Sequence, residues 1–165
     1  MKLNVKIDDA AVLKMFDLQE ARAKNPSPPL KIISEDMATV TDMSFRNKTD
    51  PFGKKWDLLS VNSTLAPGSD RKGDKPLQDT GRLRASFAKK HTSKSAQIGT
   101  NLKYAPTHQF GAKKGQYRQS SSLKTRKVKY VPWGDIPARK MVGISKMKLA
   151  AYNRRINNYI LRGEL

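Results

Sequence analysis

The feature that most constrains this chain is a long segment whose charged side chains all carry the same sign. Between Thr80 and Gly134 the sequence contains thirteen Lys or Arg residues and no Asp or Glu. Protein surfaces usually intersperse charges of both signs. The segment therefore predicts a basic face, unless folding distributes its side chains over several surfaces. The thirteen basic residues are Arg82, Arg84, Lys89, Lys90, Lys94, Lys103, Lys113, Lys114, Arg118, Lys124, Arg126, Lys127 and Lys129.

The composition of the whole chain agrees with this segment and indicates which partners it attracts. The 165 residues include 33 Lys and Arg but only 14 Asp and Glu, so the net charge is +19. A domain with this charge repels copies of itself and attracts polyanions or acidic protein surfaces. The length fits a single domain covering residues 1–165. The hydrophobic share of 37% leaves room for long polar loops or for surface completed by partners.

The chain contains no cysteine, which excludes disulfides, thiolate metal sites and cysteine nucleophiles. Its first residues alternate polar and apolar side chains and lack the apolar core of a signal peptide. No later run approaches the roughly 20 apolar residues of a membrane span. We therefore expect a protein made in the cytoplasm and used there, or in an assembly built there, with no membrane partner.

Two helices are predicted at the N-terminal end, so that residues 1–45 are mainly helical. Residues 3–7 alternate as in a short strand, or else extend the first helix. That helix begins after Asp8 or Asp9, either of which can cap it, and ends near Lys24 because a proline-rich sequence follows. The second helix covers about residues 29–45. The apolar positions are Val12, Leu13, Phe16 and Ala23 in the first helix, and Leu30, Ile33, Met37, Val40 and Phe45 in the second.

The rest of the chain predicts a small sheet region at residues 80–139 and then a helix. Strands are expected where apolar and polar side chains alternate, and long loops where Gly, Pro, Ser and charged residues dominate. The predicted fold class is α+β, with N-terminal helices, a small and mainly antiparallel sheet with long basic loops, and a C-terminal amphipathic helix. The segments are strands at 84–91, 95–100 and 127–131, extended chain at 104–111 (broken by Pro106) and 136–139, loops at 61–76 and 112–126, and a helix from Ser145 to Leu161 with Leu149, Tyr152, Ile156, Tyr159 and Ile160 on its apolar side.

The sequence contains no pattern typical of a catalytic or metal site. Its two histidines, His91 and His108, are far apart with no carboxylate between them. Metal sites need closer ligand spacing, or cysteine and acidic neighbours, so His108 is interpreted as structural. The Gly-x-Ser-x-Gly elbow and the two Gly-rich phosphate-binding motifs are absent. We expect no enzyme activity, no catalytic residue, no metal and no cofactor.

Nucleic-acid binding stays open on the basis of the second predicted loop. Residues 113–130 combine basic side chains, which neutralise phosphate, with Tyr117 and Tyr130, whose rings can stack on bases. The alternative is a solvated basic loop beside tyrosines of the core, because no recognised nucleic-acid motif frames the segment. The candidate basic interface, for DNA or an acidic partner, is Lys113, Lys114, Arg118, Lys124, Arg126, Lys127 and Lys129.

Several short motifs combine turn residues with residues suited to a core. In Asp50-Pro51-Phe52-Gly53 the Asp begins a turn, the Pro fixes φ and the Gly takes the strained position, and Trp56 anchors the turn. Leu83 and Phe87 are expected to point inward. Arg139 is expected to pair with an acid, across an interface or within the chain. The motifs are Asp50-Pro51-Phe52-Gly53 with Trp56; Leu77 with Thr80-Gly81-Arg82-Leu83-Arg84-Ala85-Ser86; Ile98-Gly99-Thr100-Asn101; Tyr104-Ala105 with His108-Gln109-Phe110-Gly111; and Ile136-Pro137-Ala138-Arg139 with Gly143.

This ordered series resembles the phage virion morphogenesis family, the tail-completion proteins of contractile-tailed phages such as Mu and its relatives. The resemblance runs from about Phe45 to the C-terminal helix. It implies a structural subunit without catalytic activity or cofactor, forming a ring, sixfold to match the tail tube, at the neck where the tail joins the head. The implied partners are other copies of the chain, the tail tube or terminator, the head connector proteins and genomic DNA in the channel.

The leading interpretation is therefore a virion protein that completes the tail and joins it to the head, assembled in the host cytoplasm and located in the tail or neck. The alternative is a free basic nucleic-acid-binding protein. In one place the chain departs from the family pattern. Members often have an aromatic residue after Pro-Ala-Arg, where this chain has Lys140-Met141-Val142, so the packing of that turn is an open question.

Overall fold

The structure is a computed structural model that describes residues 9–59, 75–113, 116 and 135–165. Helices and a two-stranded antiparallel sheet make up its regular elements, so the predicted α+β class is confirmed. In chain order the elements are α1 (Ala10–Lys24), α2 (Ser27–Asn47), α3 (Arg82–Ala85), β1 (Ala88–His91), β2 (Ala96–Gly99), α4 (Ala105–Phe110) and α5 (Lys146–Arg162).

The three long helices agree closely with the sequence prediction. Helix α1 ends at Lys24 as predicted, although Asp9, its N-cap residue, makes no side-chain capping hydrogen bond. Helix α2 begins at Ser27, so Pro28 and Pro29 lie in its first turn. The backbone N–H groups of a first turn have no partner inside the helix, and proline loses nothing there. Helix α5 is displaced by one residue from its predicted range.

Two predicted extended segments are wrong, and proline and glycine explain both. Residues 104–111 contain helix α4, because Pro106 falls in the first turn, where it is compatible with a helix. The predicted strand at 84–91 begins only at Ala88, since α3 occupies its first residues after Gly81, whose φ of 73° begins that short helix. Predictions for 3–7 and 127–131, and for most of the loops at 61–76 and 112–126, lie outside the described residues.

The chain forms two compact units, and their division passes through helix α2 and the hairpin of β1 and β2. The first unit contains the described residues up to Asp36, residues 89–97 and the segment 146–165. The second unit contains 37–88 and 98–145 in the same sense. A single domain over residues 1–165 stays a prediction.

In the first unit, α1 packs against α5. The Arg22 guanidinium in α1 donates to the backbone oxygen of Ile160 in α5, at 3.5 Å. Asp36 near the middle of α2 accepts hydrogen bonds from Lys148 Nζ at 2.8 Å and from Tyr152 Oη at 2.6 Å. Tyr152 is buried on the predicted apolar side of α5. Helix α1, by contrast, has no buried side chain at all.

The second unit contains a core built from the motif residues. Phe45 meets Trp56 edge-to-face, with ring centroids 5.4 Å apart, and Phe87 at 5.9 Å. Met141 is 1% exposed in the same core. This chain therefore fills the core with a flexible thioether side chain just after the Pro-Ala-Arg motif, which answers the question of how that turn packs. The cluster consists of Phe45, Trp56, Leu83, Ala105 and Met141, with Leu77, Phe87, Leu102 and Val142 packed against it.

Candidate functional site

The predicted turn at Asp50 is confirmed and fixes the start of the second unit's site. One carboxylate oxygen of Asp50 accepts the backbone N–H groups of Phe52 at 2.9 Å and of Lys54 at 2.8 Å. Gly53 has a φ of 94°, the left-handed conformation that glycine adopts without strain. Trp56 follows, buried, and its indole N–H donates to the backbone oxygen of Lys140 at 3.0 Å.

The Gln109 side chain in α4 forms hydrogen bonds with the backbone of the segment that follows Arg139. Its amide group takes the place that the backbone of a neighbouring β-strand would occupy. Its amide nitrogen donates to the backbone oxygen of Val142 at 2.7 Å, and its oxygen accepts the N–H groups of Met141 at 2.8 Å and Val142 at 3.2 Å. Gly111 allows the same two segments to approach each other. A Cβ there would lie 2.8 Å from the backbone oxygen of Ile136, and φ is 76°. This role of Gln109 was not predicted from the sequence.

Arg139 is buried, with 4% of its surface exposed. Its Nε donates to the backbone oxygen of Asp57 at 2.8 Å, and Nη2 donates to that of Leu58 at 3.0 Å. None of the described residues forms a salt bridge with Arg139, so its pairing with an acid, within the chain or across an interface, stays a prediction. Burial lowers the pKa of Arg139, and the nearby Asp57 partly opposes this. The buried guanidinium of Arg139 therefore holds the backbone at Asp57 and Leu58 in place.

His108 lies beside Arg139, and its surroundings keep it neutral. Burial lowers the pKa of His108 below 6.5, and the positive charge of Arg139 lowers it further. Its Nδ1 is buried and finds no hydrogen-bond partner within the described part of the chain. The ring of Tyr104 meets it edge-to-face at 6.0 Å. The described residues contain no group of His and acidic side chains that could hold a metal ion.

The side chains of Arg139, His108 and Tyr104 line a cleft of about 640 Å³ in the second unit, a feature that was not predicted from the sequence. Its polar wall combines three cationic side chains with one acidic side chain, and its apolar wall is formed by leucines. Most of the lining residues belong to the motifs that carry the family resemblance. The order of those motifs was therefore the feature of the sequence that could have indicated a site here. The lining residues are Leu59, Lys75, Leu77, Gln78, Asp79, Thr80, Gly81, Arg82, Leu83, Tyr104, His108 and Arg139.

The remaining motif positions do not line the cleft but form contacts close to it. Ser86, after α3, exchanges a hydrogen bond with Thr100 at 2.6 Å, just beyond Gly99, where β2 ends one residue before its predicted end. Leu83 is buried and Phe87 packs partly buried against the core, as predicted. Pro137 lies in the irregular segment between the bridge at Ile136 and Arg139. These contacts define the backbone around the cleft.

The candidate basic interface is described at one position only. Lys113 is exposed, and its backbone N–H donates to the Gln116 side chain at 2.9 Å. Two other cations of the acid-free segment pair with acids outside it: Arg84 with Asp42 at 2.6 Å, and Lys89 with Glu35 at 3.5 Å. The positions outside the described residues are Lys114, Arg118, Lys124, Arg126, Lys127 and Lys129.

None of the helices within the described ranges combines the length and apolar character needed to cross a membrane.

Comparison with known proteins identifies the class of molecule that carries this core and cleft. The model of the phage virion morphogenesis family matches residues 7–161. The chain belongs to that family, and it is a phage structural or morphogenesis protein associated with the virion. It is similar to the Mu-like prophage FluMu G protein 2 of Haemophilus influenzae, with 46% identity over 44 residues. That alignment covers 27% of this chain and 32% of the Haemophilus protein. No solved structure matches the chain.

Proposed function

We propose that this protein completes the phage tail and joins it to the head as a non-enzymatic, ring-forming subunit at the neck. Membership in a virion morphogenesis family supports the structural role. The copies form a closed ring, sixfold to match the tail tube, between the tube or its terminator and the head connector. The basic surface faces acidic partner proteins, with genomic DNA passing through the channel.

The observation that carries ring formation is the surface of helix α1. Its five large apolar side chains are each between 45% and 56% exposed. Exposed apolar side chains grouped on one element mark an interaction site. The five side chains are Val12, Leu13, Met15, Phe16 and Leu18.

The charge of α1 favours a second copy of the same chain as the protein that covers it. The helix carries three basic and two acidic side chains, so it is nearly neutral in a chain of net charge +19. Two strongly basic copies repel each other least where a neutral, apolar element forms the contact. A ring requires a heterologous interface, in which α1 of one copy meets a different surface of the next.

Microscopy of particles assembled without this protein tests the proposed role. We expect filled heads and uncompleted tails that fail to join, with infectivity lost. Particles lacking the protein that join and infect normally would show that the proposed role is wrong. Restoring the wild-type protein to the assembly mixture is the control, since it separates a joining defect from a failure to make tails.

The α1 contact is tested by substituting one of its exposed side chains. Phe16→Ser removes apolar surface from α1 without opening a buried cavity, and we expect it to reduce the ring fraction seen by sedimentation. Met147→Ser is the matched control, because Met147 is 83% exposed on α5. If both substitutions reduce ring formation equally, α1 has no special part in the contact.

A free nucleic-acid-binding protein is the second candidate, and the net charge is the observation that favours it. Phosphate contacts release counterions, so the logarithm of the binding constant should fall with the logarithm of salt concentration, with a slope of about −0.9 per neutralised phosphate. A titration of duplex DNA at rising salt measures this slope. Absence of binding even at low salt would remove this candidate.

A further inference from the structure

The cleft in the second unit is lined by three cationic side chains and one acidic side chain, so it carries an excess of positive charge. Arg139 is buried, and its hydrogen bonds go to two neutral backbone oxygens. Buried cations are ordinarily paired with an anion, because taking a charge out of water is costly. Lys75 and Arg82 are exposed in the same cleft and form no salt bridge with any described residue. The site is therefore suited to an anion supplied from elsewhere.

The walls of the cleft indicate which kind of anion fits. Leucine side chains and the ring of Tyr104 provide apolar surface next to the cations, and about 640 Å³ has room for several side chains. A carboxylate takes two donors of a guanidinium fork at once. A protein segment with one carboxylate and apolar neighbours can pair with the cations and also contact the apolar wall. It therefore fits the cleft better than a nucleic-acid backbone does.

The backbone of the cleft wall shows strain of the kind found at binding sites. Leu77 lines the cleft with a φ of 63°, although leucine has no preference for the left-handed conformation. Such a residue costs roughly 1–3 kcal/mol and persists only where surrounding contacts hold it, commonly at ligand clamps and switch regions. Here Leu77 packs against the core cluster, which keeps the wall in place.

We propose that this cleft accepts a carboxylate side chain with apolar neighbours, presented by a partner protein. The carboxylate binds between the buried guanidinium of Arg139 and the exposed cations of Arg82 and Lys75, while its apolar neighbours contact the leucine wall. The proposal rests on the proposed function only in taking the partner from the virion. Binding of a carboxylate peptide to the isolated chain does not depend on where the chain acts.

Titration of the full-length, isotope-labelled chain with two peptides tests the site. The probe is the blocked peptide Ala-Leu-Glu-Leu-Ala, and its control has Gln in place of Glu. We expect the Glu peptide to shift the NMR signals of Tyr104 and Arg139 Nε saturably, and the Gln peptide to bind at least tenfold more weakly. Equal affinity for the two peptides, or no saturable shift with either, overturns the proposal.

Variants at the rim of the cleft separate this site from general attraction to a basic protein. Arg82→Gln and Lys75→Gln change exposed residues, so they leave the core intact. Each substitution should lower the affinity for the Glu peptide several-fold. Lys90→Gln makes the same charge change at an exposed residue of β1 and should leave its affinity unchanged. Equal weakening by all three variants overturns the proposal.

A short DNA duplex completes the experiment. If DNA produces the same shifts at lower concentrations than the Glu peptide, the cleft is a phosphate site and the proposal is wrong. If the peptide binds as expected but particles without the protein join normally, the proposed virion role fails and the cleft assignment stands. The two failures are therefore distinguishable.

Discussion

Arg139 shows how one residue can have a structural role that its charge does not suggest. The sequence favoured an ion pair, but the guanidinium donates to the backbone oxygens of Asp57 and Leu58, which are 82 and 81 positions away along the chain. Those bonds secure the backbone just beyond Trp56. Arginine suits this task because its planar fork offers several donors in fixed directions and is more weakly hydrated than an ammonium group.

Substitution of Arg139 by lysine tests this role. We expect Arg139→Lys to lower the free energy of unfolding by roughly 1–3 kcal/mol, because an ammonium group at this buried position cannot reproduce both charge-assisted donations. Urea denaturation of the full chain measures the loss. Arg82→Lys is the matched control, expected to change stability by less than about 0.5 kcal/mol at its exposed position. Equal losses in the two variants would contradict the structural role.

His108 predicts a pH dependence of stability in a defined window. Its pKa is ordinary, near 6.5, in the unfolded chain but is lowered in the folded chain by burial and then by Arg139. Below pH 6.5 the unfolded chain therefore takes up a proton that the folded chain does not. The free energy of unfolding should fall as pH drops from 6.5 to the folded pKa and then stop changing on this account.

The measurement is urea denaturation at a series of pH values for three proteins. His108→Gln should remove the part of the slope between pH 6.5 and the folded pKa. His91→Gln should retain it, because His91 is exposed. The hypothesis that His108 is buried and neutral is wrong if the wild-type protein and His108→Gln have the same slope in this window.

What the sequence predicts about the site follows from the distance between partners. The turn at Asp50 was predicted because the donors and the acceptor lie within four residues, and residue types alone define it. The partners of Arg139 and Gln109 are backbone groups, which have no residue signature, and they lie more than thirty positions away. Local chemistry can be read from residue types, whereas a cleft assembled from distant segments needs the fold.

At the scale of elements, helix length decides how well the sequence predicted structure. Helices α1, α2 and α5 extend over several turns, so each contains enough apolar positions to reveal the helical period. The helix is then recognised even where one end is predicted a residue or two away from its true position. Helices α3 and α4 have four and six residues, too few for a periodic pattern. In α4 the proline that suggested a break is compatible with the first turn of a helix.

The contact between α2 and α5 in the first unit depends on Asp36. Tyr152 Oη and Lys148 Nζ both donate to its carboxylate. Burial opposes the ionised form of Asp36, but these two hydrogen bonds and the positive charges of Lys148 and Arg155 together outweigh it, so the pKa of Asp36 lies below 3.8. Burial and the same carboxylate raise the pKa of Tyr152. The tyrosine therefore keeps its proton, and stays a donor, through the neutral and moderately alkaline range.

Tyr152→Phe tests the energetic importance of this contact. We expect a loss of roughly 1.5 kcal/mol, the low end for a hydrogen bond to a charged group, because Lys148 still donates to the carboxylate. Thermal or urea unfolding of the full chain measures it. Tyr159→Phe is the matched control, since the Tyr159 hydroxyl makes no hydrogen bond to a described residue. Similar losses in both variants would mean that the hydroxyl of Tyr152 contributes nothing specific.

At the scale of the whole molecule, the charge determines how copies can meet. The chain carries +19, and only part of the basic segment is compensated within the described residues, at Arg84 and Lys89. Copies in solution therefore repel each other over distances set by salt, about 10 Å at 0.1 M and 3 Å at 1 M. The exposed apolar side chains of α1 act in the opposite direction, and their attraction does not weaken as salt rises.

Salt should therefore separate ring formation from nucleic-acid binding by the sign of its effect. We expect the associated fraction of the purified chain in sedimentation velocity to rise between about 0.1 M and 1 M NaCl, because screening removes repulsion and leaves the α1 contact intact. DNA binding must weaken over the same range, since its strength comes from released counterions. Association that falls with salt in nuclease-treated protein would show that copies meet through charge pairs, and that α1 is not the contact.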